Sequence, residues 1–230
     1  MPTPATDIRQ ALLSRFDPAQ PFVTHLSVDG RVELSGASVA GAAAKIANAL
    51  TGEFDLQPGA SIGVHLPWHW QRVTWLVGIW SAGCVVVPGG GEECDLLVAG
   101  PKEAVSLPWS VQVVSTHPFG MPLDAAAMAQ LPAEAEDVTL TVRTQPDQQV
   151  FVDDHSSAPA LDGRTQQQLL DHARTWAGEH TQVSRVGLTA GTNQWWLPAL
   201  WPLVTDGSVV LAESFDESVI DTESIDLITK

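Results

Sequence analysis

Between Pro58 and Pro88 the chain runs through strand, helix and strand signals in close succession. Pro58-Gly59 opens a short apolar run from Ser61 to Leu66. Trp70 to Ala82 then places Val73, Leu76, Val77 and Trp80 at helical spacing. Gly83 stops that segment, and Cys84-Val85-Val86-Val87 is a continuous apolar run closed by Pro88. Two strands joined through a helix lie parallel, and strands without an alternating polar side are covered on both faces. Leu96-Leu97-Val98-Ala99 and Val111-Gln112-Val113-Val114 extend the pattern more weakly. The fold class that follows is α/β, a mostly parallel sheet flanked by helices.

The flanking sequence adds elements to this centre. Thr6 to Phe16 predicts a helix capped by Thr6 and ended by Asp17-Pro18. Phe22–Val28 and Arg31–Leu34 on either side of Asp29-Gly30 predict a hairpin. Ser35 caps a helix expected to reach Leu50. From Pro118 to Asp147 the pattern is irregular, with a short Ala-rich helix expected between Leu123 and Leu131. Beyond it, strands are expected at Gln149–Val152, Val186–Thr189 and Ser208–Leu211, and helices at Thr165–Ala177 and Trp195–Val204. Residues 1–230 read as one truncated domain with an acidic C-terminal tail from about Glu213.

Twenty-seven Asp and Glu against eleven Lys and Arg give a formal charge of −16. Such a surface repels phosphates, so neither nucleic acid nor an anionic membrane is an expected partner. The N-terminal residues carry no basic-then-apolar pattern, and no secretory signal is expected. Two cysteines, Cys84 and Cys94, are too few for a disulfide framework or a cysteine-built zinc site, and a reducing, cytoplasmic setting is expected.

From Arg31 to Pro88 the sequence resembles the start of the adenylate-forming enzymes: acyl-CoA synthetases, peptide-synthetase adenylation domains and luciferases. The resemblance rests on Val32-Glu33-Leu34-Ser35, on Ala47-Asn48-Ala49-Leu50, on Leu56-Gln57-Pro58-Gly59-Ala60-Ser61-Ile62-Gly63-Val64-His65-Leu66-Pro67, and on Gly78-Ile79-Trp80-Ser81-Ala82-Gly83-Cys84-Val85-Val86-Val87-Pro88. Leu200 to Leu211 echoes a later helix and strand of the same enzymes. The short form also resembles a small actinobacterial family related to them. These positions speak to scaffold, and the fold implied is that of the N-terminal subdomain.

The chemistry-bearing positions diverge. The resemblance implies a phosphate-holding loop, rich in Ser, Thr and Gly and ending Pro-Lys-Gly, that follows a strand and precedes a helix. By position its counterpart is Val152 to Leu161, which keeps Ser156, Ser157 and Pro159 but has no glycine, and no lysine follows the proline. Asp153 and Asp154 put negative charge there. The family's His near the acyl site is matched only by Asn193 and Gln194, and its later motifs fall beyond Lys230.

Other constellations are weaker. His65 and His69 are four apart, but Pro67 interrupts any helix between them. Asp153 and Asp154 are candidate Mg²⁺ ligands, set against a polar surface turn. Gly89-Gly90-Gly91 reads as a turn, and no Gly-x-Ser-x-Gly elbow occurs. Nine tryptophans divide between core and interface or pocket: Trp80 belongs to the helix stripe, Trp75 lies off it, and adjacent Trp195 and Trp196 cannot share one helix face.

The resulting expectation is a non-catalytic relative of these enzymes, a binding or assembly protein with no cofactor. Its expected partner is a second copy or another protein, and its small-molecule ligand is unspecified. The alternative is a nucleotide-binding enzyme acting on a carboxylic acid with ATP and Mg²⁺, in which Ser156 and Ser157 contact phosphate and Asp153 or Asp154 holds the metal.

Overall fold

In the computed structural model, which describes residues 4–192 and 195–229, the chain forms two sheets that share a layer of helices. The first helix, α1 (Ile8–Leu13), is shorter than its periodicity predicts. Asp7, not Thr6, supplies the cap by accepting from the Gln10 amide at 2.6 Å, and Phe16 lies beyond the helix, 93% exposed. Strands β1 (Pro21–Ser27) and β2 (Gly30–Ser35) form the expected hairpin, with Gly30 at φ +123° where only glycine is at ease. Helix α2 (Gly36–Asn48) is capped by the Ser35 hydroxyl, and residues 49–53 continue it as one π-helical turn.

The strand-helix-strand centre is β3 (Ser61–His65), α3 (Trp70–Ser81) and β4 (Val85–Pro88). It is followed by β5 (Leu96–Ala99), α4 (Pro101–Ala104), β6 (Val111–Val113), α5 (Ala125–Met128), β7 (Ala135–Asp137) and α6 (Thr139–Arg143). A second hairpin, β8 (Pro159–Leu161) and β9 (Arg164–Thr165), leads into α7 (Gln166–Glu179). The chain then forms β10 (Arg185–Leu188), α8 (Leu197–Thr205), β11 (Ser208–Leu211), α9 (Glu217–Glu223) and β12 (Leu227–Thr229).

The seven-stranded sheet has the order β7-β6-β5-β3-β4-β8-β9, and the five-stranded sheet β12-β10-β11-β1-β2. In each, one edge strand runs antiparallel (β9 and β2) and the other pairings are parallel. The α/β, mostly parallel architecture is therefore as the sequence predicts, although it takes two sheets.

Helix α3 touches both sheets, packing on β4 and on β1. Every residue from Gln71 to Ser81 is buried. Trp75, off the predicted stripe, is 2% exposed and belongs to the core, because a helix enclosed on all sides has no solvent face to spare. The Trp80 indole donates to the Ala160 carbonyl on β8 at 3.0 Å, and Gln166 donates to the Trp80 carbonyl while accepting from the Ile8 amide. One helix thus ties α1, α7 and β8 together.

The predicted strand at Gln149–Val152 does not form. Asn48 takes its hydrogen bonds instead: its amide donates to the Pro146 and Gln148 carbonyls, and its side-chain oxygen accepts from the Val150 amide. Gln149 donates to the carbonyls of Ser81 and Phe151. Val150, Phe151 and Val152 are left exposed.

The acidic segment from Glu213 is folded. Strand β12 pairs with β10, and Asp226 accepts from the amides of Ser184 and Arg185. Glu223, largely buried, is gripped by Arg31 through Nε and Nη2, at 2.7 and 3.1 Å, and by Arg185 at 2.7 Å. Arg31 first, then Arg185, hold the Glu223 carboxyl below its ordinary pKa.

The close approach of α2 and α3 depends on Gly78, where a Cβ would come within 2.6 Å of Ile46. Gly78→Ala gains helix propensity but forces the helices apart. A net loss of about 1–2 kcal/mol in urea unfolding is expected.

Candidate functional site

The segment matched to the phosphate loop folds on itself. Asp153 and Asp154 are exposed, and Asp154 accepts from the Ser156 amide at 2.8 Å, which with a weaker contribution from the Ser156 side chain lowers its pKa. The Ala158 amide donates to the His155 carbonyl, and the Gln167 amide to that of Ser156. The His155 ring lies against Gly83, just past the end of α3, where a Cβ would come within 2.7 Å of it. This turn therefore sits at the edge where β4 begins. Among the described residues, no group of three His, Cys, Asp or Glu side chains converges as a metal site, and neither Asp153 nor Asp154 gains a third ligand.

The strand expected just before this segment does not form, and β8 makes up its last three residues. In the fold, the connection that follows a strand and leads through β9 into a helix is Asp162-Gly163. It is a tight turn with both residues at positive φ, +50° and +74°.

The opposite end of α3 is richer in chemistry. Residues that end the parallel strands of an open α/β sheet line its ligand crevice, and here that edge gathers His25, Trp68, His69, Arg72 and Trp195. His69 caps α3, its Nδ1 accepting from the Gln71 amide at 3.2 Å. Its ring meets His25, near the end of β1, edge-on at 4.4 Å. The Trp68 indole donates to the carbonyl of Leu188, the last residue of β10. Arg72, on the first turn of α3, is 9% exposed and lies beside two indoles, 4.3 Å from the Trp195 ring and 5.0 Å from that of Trp68.

The electrostatics follow from burial. His69 is pushed down to about 3, first by desolvation and then by its neighbour His25, whose own pKa is lowered mainly by burial. Both rings are neutral near pH 7. Burial lowers Arg72 to about 10, leaving it cationic, and among the described residues no carboxylate pairs with it. The sequence signal for this site is an arginine four residues before Leu76, on the buried stripe of an apolar helix.

The remaining candidates do not join it. His65 Nε2 is 2.6 Å from the Gly90 carbonyl, His69 Nδ1 accepts from the Gln71 amide, and among the described residues no group of three metal-ligating side chains forms around them. Gly90 packs on Gly63 and Cys94, and the Gly91 amide donates to Glu93, as befits a turn. Cys84 is buried and pushed up to about 12, chiefly by desolvation, and Cys94 is also raised, so neither thiol is activated. Asn193 and Gln194 lie outside the described residues.

Solved structures with this fold include an acyl-CoA synthetase from Brucella canis (TM-score 0.70, 13% identity, covering 96% of this chain and 46% of that one). ATP-bound MatB from Rhodopseudomonas palustris matches with TM-score 0.68 at 14% identity, over 97% and 48% of the two chains. An amide bond synthetase from Marinactinospora thermotolerans matches with TM-score 0.69 at 18% identity, over 98% and 48%. The chain spans about half the length of the solved structures it matches. The fold is that of the N-terminal part of adenylate-forming, acyl-CoA synthetase-like enzymes.

No family model matches the chain. A TIGR03089 family protein of Mycobacterium tuberculosis is 32% identical to it over 183 residues, 74% of this chain and 72% of the relative. The chain belongs to the TIGR03089 family.

Burial of a neutral His69 makes stability depend on acid. Its pKa is depressed from 6.5 to about 3, so its contribution is full above 6.5 and is lost as pH falls through that window. His69→Asn retains a cap acceptor and takes up no proton. Its stability is expected to fall less steeply across the same window in urea unfolding.

Proposed function

We propose that this protein is a non-catalytic relative of the adenylate-forming enzymes, serving in binding or assembly rather than in ATP-dependent activation of a carboxylic acid. The observation that carries this reading is the Val152–Leu161 segment, which has no glycine, no lysine after Pro159, and two exposed aspartates. The resemblance calls for a glycine-rich phosphate loop that follows a strand, and the strand expected at Gln149–Val152 does not form. Of the serines and aspartates in that segment, Asp154 is engaged by the Ser156 amide. The residues present do not fit a nucleotide and its Mg²⁺, and no cofactor enters this reading. Two free cysteines suit a cytoplasmic setting, and among the described residues no helix is long and apolar enough to cross a membrane.

Isothermal titration and thermal shift with ATP and Mg²⁺ test the reading. Neither heat nor a shift in Tm is expected. Micromolar binding that disappears when Ser156→Ala and Ser157→Ala are combined would overturn it.

The assembly half rests on surface. Leu13, Phe16, Val150, Phe151 and Val152 are large apolar side chains left exposed around α1 and the segment before β8, and apolar area of this kind is covered when two copies or two proteins associate. A homodimer is expected in light scattering at micromolar concentration. A strictly monomeric species that also captures no partner would count against it.

A further inference from the structure

Arg72 differs from the other buried arginines in what its guanidinium touches. Arg15 donates to the carbonyls of Pro202, Asp206 and Gly207, and Arg185 to Glu223, Thr24 and Ser208; each leaves only Nε unpaired. Arg72 leaves both Nε and Nη2 buried without a partner. Those two N–H groups form one edge of the planar fork, the edge that grips a carboxylate or phosphate through two parallel hydrogen bonds. Arg31 shows this use within the same chain, taking the two Glu223 oxygens on Nε and Nη2.

The surroundings favour an anion from outside the chain. The Trp68 and Trp195 rings both lie close to the guanidinium, which offsets part of the cost of burying it but satisfies no N–H. The chain carries twenty-seven acids, yet none of the ion pairs among the described residues involves Arg72. His25 and His69, beside it, are neutral. The first turn of α3 adds the positive end of a twelve-residue helix.

We propose that the Nε–Nη2 edge of Arg72 is an oxyanion receptor that takes a carboxylate or phosphate group of a small-molecule ligand, with Trp68 and Trp195 as its walls. Both nitrogens lie out of reach of bulk water, so binding requires the half-buried Trp195, in the turn before α8, to shift. The site lies roughly 16 Å along the α3 axis from Gly83 and the Asp153-Asp154 turn, at 1.5 Å per residue. It deepens the binding-protein reading and rests on it only in asking no chemistry of the site. The oxyanion and ATP titrations are separate and fail separately.

The test titrates the full chain with sodium acetate and, separately, sodium phosphate, at ionic strength held constant with chloride. Thermal shift and tryptophan emission are the readouts. A saturable response to either anion, absent with chloride, is expected, and the anion that gives it identifies the group. Arg72→Met should weaken that affinity at least about tenfold, and Arg72→Lys, charged but unable to form the fork, should fall between. No saturable response in the wild type, or an equal one in Arg72→Met, overturns the proposal. Should Arg72→Met not fold, Arg72→Lys decides: weakened binding supports the fork and unchanged binding overturns it.

Discussion

Enclosure of α3 between two sheets is the constraint on which the rest of the structure depends. A helix with one wet face tolerates polar substitution there, but α3 is buried from Gln71 to Ser81 and must satisfy every polar group it carries. Thr74 donates back to the Gln71 carbonyl, and Gln71 to that of Ser115. Gly78 lets α2 come close, and the Trp80 indole finds the Ala160 carbonyl. Arg72 stands outside this accounting, and its unpaired edge is for that reason informative.

The two ends of α3 face opposite edges of the sheets, and chemistry is distributed unequally between them. The end near Gly83 carries the exposed Asp153-Asp154 turn, whose backbone groups bond within the turn or to α7. The end near His69 gathers neutral imidazoles, indoles and a guanidinium where β1, β3 and β10 finish. The fold of the N-terminal part of adenylate-forming enzymes is thus kept, and the polar constellation gathers at the His69 end of α3. Fold and function separate along the chain in this way because scaffold positions answer to packing and site positions to ligands.

Local patterns were legible in the sequence. The β3-α3-β4 unit, the Asp29-Gly30 hairpin and the Ser35 cap each depend on residues within a turn or two of one another. Gln149–Val152 misled because the decisive partner, Asn48, is 102 residues from Val150. Glu223 looked like one more tail acid, and its meaning lies in Arg31, 192 residues away. The candidate site was missed: its one sequence signal is an arginine on an apolar stripe, and the Trp195 indole beside it comes from a connection more than a hundred residues along the chain. Patterns of period two or 3.6 carry no information about such pairings.

The edges of the two sheets limit how copies of this protein can meet. Strands β7, β9 and β12 are only two or three residues long, and the longer edge strand β2 carries Arg31 and Glu33. Short or charged edges offer little template for another strand to add to. Association through a continued sheet, with its open-ended growth, is thereby disfavoured. Any association is left to side-chain surfaces such as that around α1, and an isologous contact there would give an assembly of defined size.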